Sequence, residues 1–172
     1  DEPWWINTKY KEDSSFDSFL KPHDISIDQA MGYSYLLERF KEIENRKCLV
    51  IKNNNNHLRL FSLSNYFPNS KFIIVFRSPL AHSKSLLNLH KRLLKLQDND
   101  EFIIEYMNMI GHWEFGQCKK TFIYNENQLN ILDSLSPQNI DYWINQWIFT
   151  YGWLLEKISS RKNNIDNISL LC

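Results

Sequence analysis

The stretch FPNSKFIIVFRSPLAHSKS, Phe67 to Ser85, joins a turn, a strand and a helix start. Pro68 and Asn69 turn the chain. Lys71 to Phe76 (KFIIVF) is then an apolar run, rich in β-branched and aromatic residues and bounded by polar ones, which predicts a buried strand of the parallel type. Ser78 can cap and Pro79 can open the next helix. That helix is expected to run to about Leu96, with Leu86, Leu89, Leu93 and Leu96 on its apolar side. Arg77 falls at the carboxyl end of the strand and Ser85 two turns into the helix. In open α/β sheets this edge is where ligands bind, and a helix start there offers free N–H groups to an anion. The planar fork of Arg77 suits a phosphate, and the Ser85 hydroxyl would close the cradle. The structural alternative is an arginine in a surface ion pair and a solvated serine.

Working outward, Lys47 to Lys52 (KCLVIK) reads as a second buried strand, and His57 to Phe67 is long enough for a crossover helix between the two, which makes a βαβ unit. Further upstream, Ser26 and Gln29 form a capping box for a helix ending near Asn45, with Ile27, Ala30, Tyr33, Leu37, Phe40 and Ile43 recurring every three or four residues. The first twenty-five residues alternate aromatic and polar types without a period. They read as an ordered loop in which Trp4, Trp5, Phe16 and Phe19 pack. Downstream, a helix is expected over Glu101 to Ile110, then a turn-rich aromatic stretch from Gly111 to Ser136. Pro137 opens a long helix marked by Ile140, Trp143, Trp147, Tyr151, Leu154 and Ile158, whose aromatic stripe has the spacing of a buried face. Asn163 to Asn167 breaks it, and Ile168 to Cys172 (ISLLC) resembles a third buried strand.

The 172 residues, 43% hydrophobic and 15% aromatic, are enough for one core, so residues 1–172 are read as a single domain. Twenty basic residues balance twenty acidic ones. No overall field draws the chain to nucleic acid or an anionic membrane, and any anion site must be local. No apolar run approaches the ~18 residues of a membrane span, and the first residues lack the order of a signal peptide. The compartment is left open. Cys48, Cys118 and Cys172 read as core or free thiols, and His23, His82 and His90 have no partners at metal-ligand spacing, so no metal is expected. The sequon Asn167-Ile168-Ser169 falls in an expected buried strand.

The pattern F-P-N-x-K-F-I-x-x-x-R-x-P, followed by Ser eight residues after the Arg, resembles the 3'-phosphate-binding segment of PAPS-dependent sulfotransferases. Lys52 to Arg59 (KNNNNHLR) is similar to the K-x-x-x-N-x-x-R segment of bacterial and tyrosylprotein-type members. The long tryptophan-bearing helix and ISLLC also look like this family's closing helix and the strand near it. The resemblance implies a three-layer P-loop-type parallel sheet with flanking helices, incomplete at both ends, and transfer of a sulfuryl group from PAPS to a hydroxyl or amine on a small-molecule, glycan or peptide acceptor. It implies that Arg77 and Ser85 hold the 3'-phosphate of PAPS or PAP, and that Lys52 stabilises the leaving phosphate. Asn56 and Arg59 would position the cofactor or brace the loop.

Two features depart from the family. No Pro-(Lys/Arg)-Ser-Gly-Thr-Thr run occurs, and none of Gly32, Gly111, Gly116 and Gly152 adjoins a Lys-Ser/Thr pair. The chain is therefore expected to be a fragment beginning after that loop, and inactive alone. The Lys-Thr-His triplet of cytosolic members is here Lys52, Asn53, Asn54, so the base must be sought at His57 or at His112 and Glu114 in G-H-W-E-F-G, an acceptor-side loop with a tunable imidazole. The structural alternatives are a solvated Lys52 and a satisfied loop histidine. Two other functions fit the same pattern: a noncatalytic nucleotide-binding or scaffold domain, and a P-loop kinase-like transferase.

Overall fold

A computed structural model describes residues 19–160 and 167–172. The expected packing of Trp4, Trp5 and Phe16, and most of the Asn163 to Asn167 break, lie outside the described residues. The chain is a mixed α/β protein. In order it forms β1 (Phe19–Leu20), α1 (Ile27–Ile43), a 3-10 turn (Asn54–Arg59), α2 (Leu60–Tyr66), β2 (Phe72–Val75), α3 (Pro79–Asn99), α4 (Glu101–Met109), β3 (Thr121–Phe122), α5 (Glu126–Asp133), α6 (Ile140–Ser160) and β4 (Ile168–Leu171).

The capping box behind α1 is present: the Ser26 hydroxyl accepts from Gln29 N–H while the Gln29 side chain accepts from Ser26 N–H. Only part of its periodic face is buried. Ala30 and Tyr33 pack with Ile25 and Leu63, whereas Ile27 and Ile43 remain exposed. β2 lies between this cluster and a second one. Phe72 touches both, and Ile74 packs with Leu60, Phe61, Leu154 and Ile168. A third core lies where α3 and α5 both pack on α6. It gathers Phe115, Ile123, Leu132, Tyr142 and Trp143 against Leu86, Leu89 and Leu93. The expected aromatic stripe on α6 is thus partly core, led by the 3% exposed Trp143.

β2 and β4 pair in parallel, with Phe72 opposite Ile168 and Val75 opposite Leu171. Strands expected at both places are found, but the sheet differs from expectation. Among the described residues it has two strands, and a second parallel pair joins β1 to β3. Lys47 to Lys52 forms no strand and has no ladder partner, with a bend at Lys47. Ile51 tucks against the first cluster while Val50 is 94% exposed. A short apolar run supplies a hydrophobic edge but no backbone partner, and without a neighbour it is not a strand. β4 is not buried either. Leu170 and Leu171 are exposed, as are Ile73 and Val75 on the outer face of β2. Asn167 is tied to α2, accepting from the Ser64 hydroxyl at 2.8 Å, a bond that glycosylation there would disturb.

α3 starts with Pro79 in its first turn, as expected, but Ser78 makes no side-chain capping bond. The stretch read as turns up to Ser136 hides α5. Its signal was present in the sequence: Asn125 as N-cap, accepting from Gln128 N–H, followed by Glu126 in the first turn. All three cysteines are free. No described helix is long and apolar enough to cross a membrane.

Candidate functional site

Two polar clusters flank α3. The first lies at the carboxyl edge of β2. Tyr151 of α6 donates its hydroxyl to the Val75 carbonyl at 2.9 Å, which satisfies the last carbonyl of the strand and fixes the ring beside Phe76 and Trp147. His82 sits in the first turn of α3 with its ring 6.2 Å from that of Tyr151. Arg77 is exposed and close enough to both to act on their titration. Burial lowers the His82 pKa and the guanidinium lowers it further. Burial raises that of Tyr151 and the guanidinium partly offsets the rise.

Three features fit an anion here. Arg77 has no carboxylate at ion-pair distance among the described residues. The Ser78 hydroxyl leaves the first N–H groups of α3 uncapped. His82 Nδ1 is buried without a hydrogen-bond partner. Ser85 is exposed one turn beyond His82, and residues three apart share a helix face, so it stands above the His82 side of α3.

The second cluster is built on the loop from Gly111 to Gly116. Both glycines adopt positive φ, 70° and 80°, a backbone region that glycine enters without steric cost. Between them Trp113 and Phe115 are both 4% exposed, so they anchor the loop. The Trp113 indole N–H donates to Asn108 Oδ1 at 3.1 Å. Gly116 N–H donates to His90 Nδ1 at 3.1 Å, and Gln117 N–H donates to Gln97 Oε1 at 2.8 Å. His90 and Gln97, both buried on α3, therefore clamp the end of the loop. From the sequence His90 stands out only as a histidine without metal-ligand spacing, and Gln97 not at all, because nothing in a helical pattern distinguishes a buried His or Gln that serves a distant backbone N–H.

Held this way, His112 Nδ1 lies 2.8 Å from Glu114 Oε2. Glu114 is only 7% exposed. The pair also feels His57. His57 Nδ1–H donates to the Asn54 carbonyl at 2.7 Å, and its ring stands edge-on to Phe122. Burial pulls its pKa down to about 4, with Arg59 and His23 adding to the fall and the Asn54 carbonyl and Glu114 opposing it. His57 is therefore neutral at physiological pH, with a buried Nε2 lone pair that makes no hydrogen bond. The two alternative bases from the sequence thus sit within electrostatic reach of one another, joined through Glu114.

Asn56 and Arg59 lie behind this cluster. Arg59 is 2% exposed and its Nε donates to Asn56 Oδ1 at 3.0 Å, which braces the 3-10 turn. Lys52 is exposed on the irregular segment before it. The two clusters are connected through α3: His82 and His90 are eight residues apart, or about 12 Å along a helix axis.

Comparison with protein-family models, curated proteins and solved structures finds no match.

Proposed function

We propose that this chain carries the nucleotide end of a PAPS-dependent sulfotransferase site, within a P-loop-type α/β domain. One observation carries it. The F-P-N-x-K-F-I-x-x-x-R-x-P segment puts Arg77 beyond the carboxyl end of a parallel strand, ahead of a helix start with uncapped N–H groups. Arg77, the first turn of α3 and Ser85 would hold the 3'-phosphate. Lys52 would face the leaving 5'-phosphate.

PAPS supplies the activated sulfuryl group. In the transfer, the sulfur–oxygen bond to the leaving phosphate breaks as the acceptor oxygen or nitrogen bonds to sulfur, and the acceptor's proton passes to a base. This chemistry rests on position and charge stabilisation. The Gly111 to Gly116 loop would bring that base. The buried Glu114 carboxylate stands 2.8 Å from His112 Nδ1, close enough to offset the positive charge that His112 would gain on taking a proton. His57 is the alternative acceptor, already neutral and with Nε2 open.

Calorimetric titration with PAP tests the nucleotide end. Wild-type protein is expected to bind, and Arg77→Ala to bind at least tenfold more weakly, the scale of a lost charge-assisted phosphate contact. Unchanged affinity in Arg77→Ala would remove the assignment. The alternative reading of the same segment is a noncatalytic nucleotide-binding or scaffold domain. Sulfuryl transfer by the 172-residue chain would exclude it.

A further inference from the structure

A cleft of about 380 Å³ opens where α6 faces the junction of β3 and α5. That volume lies in the range of small-molecule sites, on the order of 300–1,000 Å³. Phe149, Gly152, Trp153 and Glu156 line it from α6, and Tyr124 and Gln128 from the junction. The α6 residues recur at intervals of three and four, so they share one face of the helix. None of these residues is assigned to sulfuryl transfer.

The walls are held from behind. Tyr124 N–H donates to Gln128 Oε1 at 2.8 Å, and the Tyr124 hydroxyl donates to Thr150 Oγ1 at 2.9 Å. The Tyr124 ring stacks on that of Trp153, with centroids 4.9 Å apart and planes at 26°. Trp153 in turn stands edge-on to Phe61. A ligand entering the cleft therefore meets side chains that are already ordered, which lowers the entropy cost of binding.

Gly152 is the floor. It sits inside the 21-residue α6, where glycine is the poorest helix former after proline. Its φ lies outside the left-handed region, which holds only Gly111 and Gly116 among the described glycines. A Cβ added to it would meet nothing within 4 Å. Neither backbone conformation nor close packing calls for glycine here. The missing side chain leaves the helix backbone bare under the cleft, so a flat group can lie on it. Glu156 supplies the charge. It is one turn beyond Gly152 and two beyond Phe149 on the same face. It is exposed, and among the described residues no cation stands at ion-pair distance from it. Lys157 also reaches the cleft, but its position falls about 100° round the helix from Glu156, at the margin.

We propose that this cleft binds a small aromatic amine, with its ring laid on the Gly152 backbone against Phe149 and Trp153 and its ammonium on Glu156. The ring buries apolar area against the two aromatics. The charge-assisted hydrogen bond to the carboxylate selects an amine over an acid of the same shape. The site does not depend on the sulfotransferase assignment.

The test is calorimetric titration of the full chain at pH 7 with tryptamine and with indole-3-acetate, which carries the same ring and the opposite charge. Tryptamine is expected to bind with a Kd of about 1 mM or below, the scale for a ligand of its size. It should bind at least about tenfold more tightly than indole-3-acetate, and Glu156→Gln should bring the two within about twofold. Gly152→Leu should fill the floor and weaken tryptamine at least about tenfold. Its melting temperature should stay at or above that of wild type, since the new side chain enters open space and leucine is the better helix former. Four results would overturn the proposal: no tryptamine binding at about 10 mM, indole-3-acetate binding as tightly as tryptamine or more so, a preference for the amine that survives Glu156→Gln, or unchanged tryptamine affinity in Gly152→Leu. Glu156 is exposed, so its variant keeps the test decisive whatever Gly152→Leu does to the fold.

Discussion

Gly116→Ala is the sharpest perturbation of the loop clamp. At φ 80° an L-residue pays about 1–2 kcal/mol for the left-handed backbone. The new Cβ would also stand 2.3 Å from Gln97 Oε1 and 2.7 Å from Nε2. The far end of a glutamine ordinarily swings away, but Gln97 is 2% exposed, accepts from Gln117 N–H and donates to Met107 Sδ. Moving it strands a buried amide, which costs about 1–3 kcal/mol more. The sum is about 2–5 kcal/mol, or roughly 5–15 °C in melting temperature for a chain of this size. Chemical denaturation of wild type, Gly116→Ala, Gln97→Ala and the double variant gives a complete cycle. If the clash is real, Gly116→Ala costs at least about 1 kcal/mol less when Gln97 is already Ala. A change within 0.5 kcal/mol for Gly116→Ala alone, or additive single effects, would refute the clamp.

Acid should loosen the second cluster. The folded pKa of His57, about 4, lies below its unfolded value of 6.5, so the unfolded chain binds the extra proton first and stability falls as pH drops from about 6.5 to 4. The loss is on the order of 2–3 kcal/mol for this residue, and urea midpoints at pH 7 and pH 4.5 should differ less in His57→Gln than in wild type. His112→Ala is expected to leave PAP affinity within about twofold, because His112 belongs to the acceptor-side cluster, and to lower sulfuryl transfer wherever transfer is measured. Equal loss of PAP affinity and of stability would make His112 structural.

Local signals in the sequence carried well into the structure. Pro79 at a helix start, the Ser26–Gln29 capping box and the leucine spacing of α3 each fix a helix through contacts within a few residues, so they are legible without the fold. KFIIVF and ISLLC were legible as strands, and they pair in parallel. KCLVIK was not, because a strand needs a neighbour and the same short run serves equally as an irregular segment that tucks Ile51 against the core. α5 was missed although Asn125 and Gln128 gave a cap signal, since its eight residues hold only three apolar positions, Leu129, Ile131 and Leu132, too few to show a period. At the candidate site the sequence marks Arg77, Ser85, His112 and Glu114 by motif and loop chemistry. It does not mark Tyr151 on the Val75 carbonyl or His90 on Gly116 N–H, because both contacts join elements far apart in the chain.

In the proposed function the edge formed by Arg77 and the start of α3 receives a 3'-phosphate. Calorimetric titration of the wild-type chain with PAP and with 5'-AMP, which differ only by that phosphate, tests it most directly when repeated on Arg77→Ala. PAP is expected to bind at least about tenfold more tightly than AMP, and Arg77→Ala to bring the two affinities within about twofold of each other. Equal affinities in wild type, or a preference for PAP that survives the loss of Arg77, would contradict it.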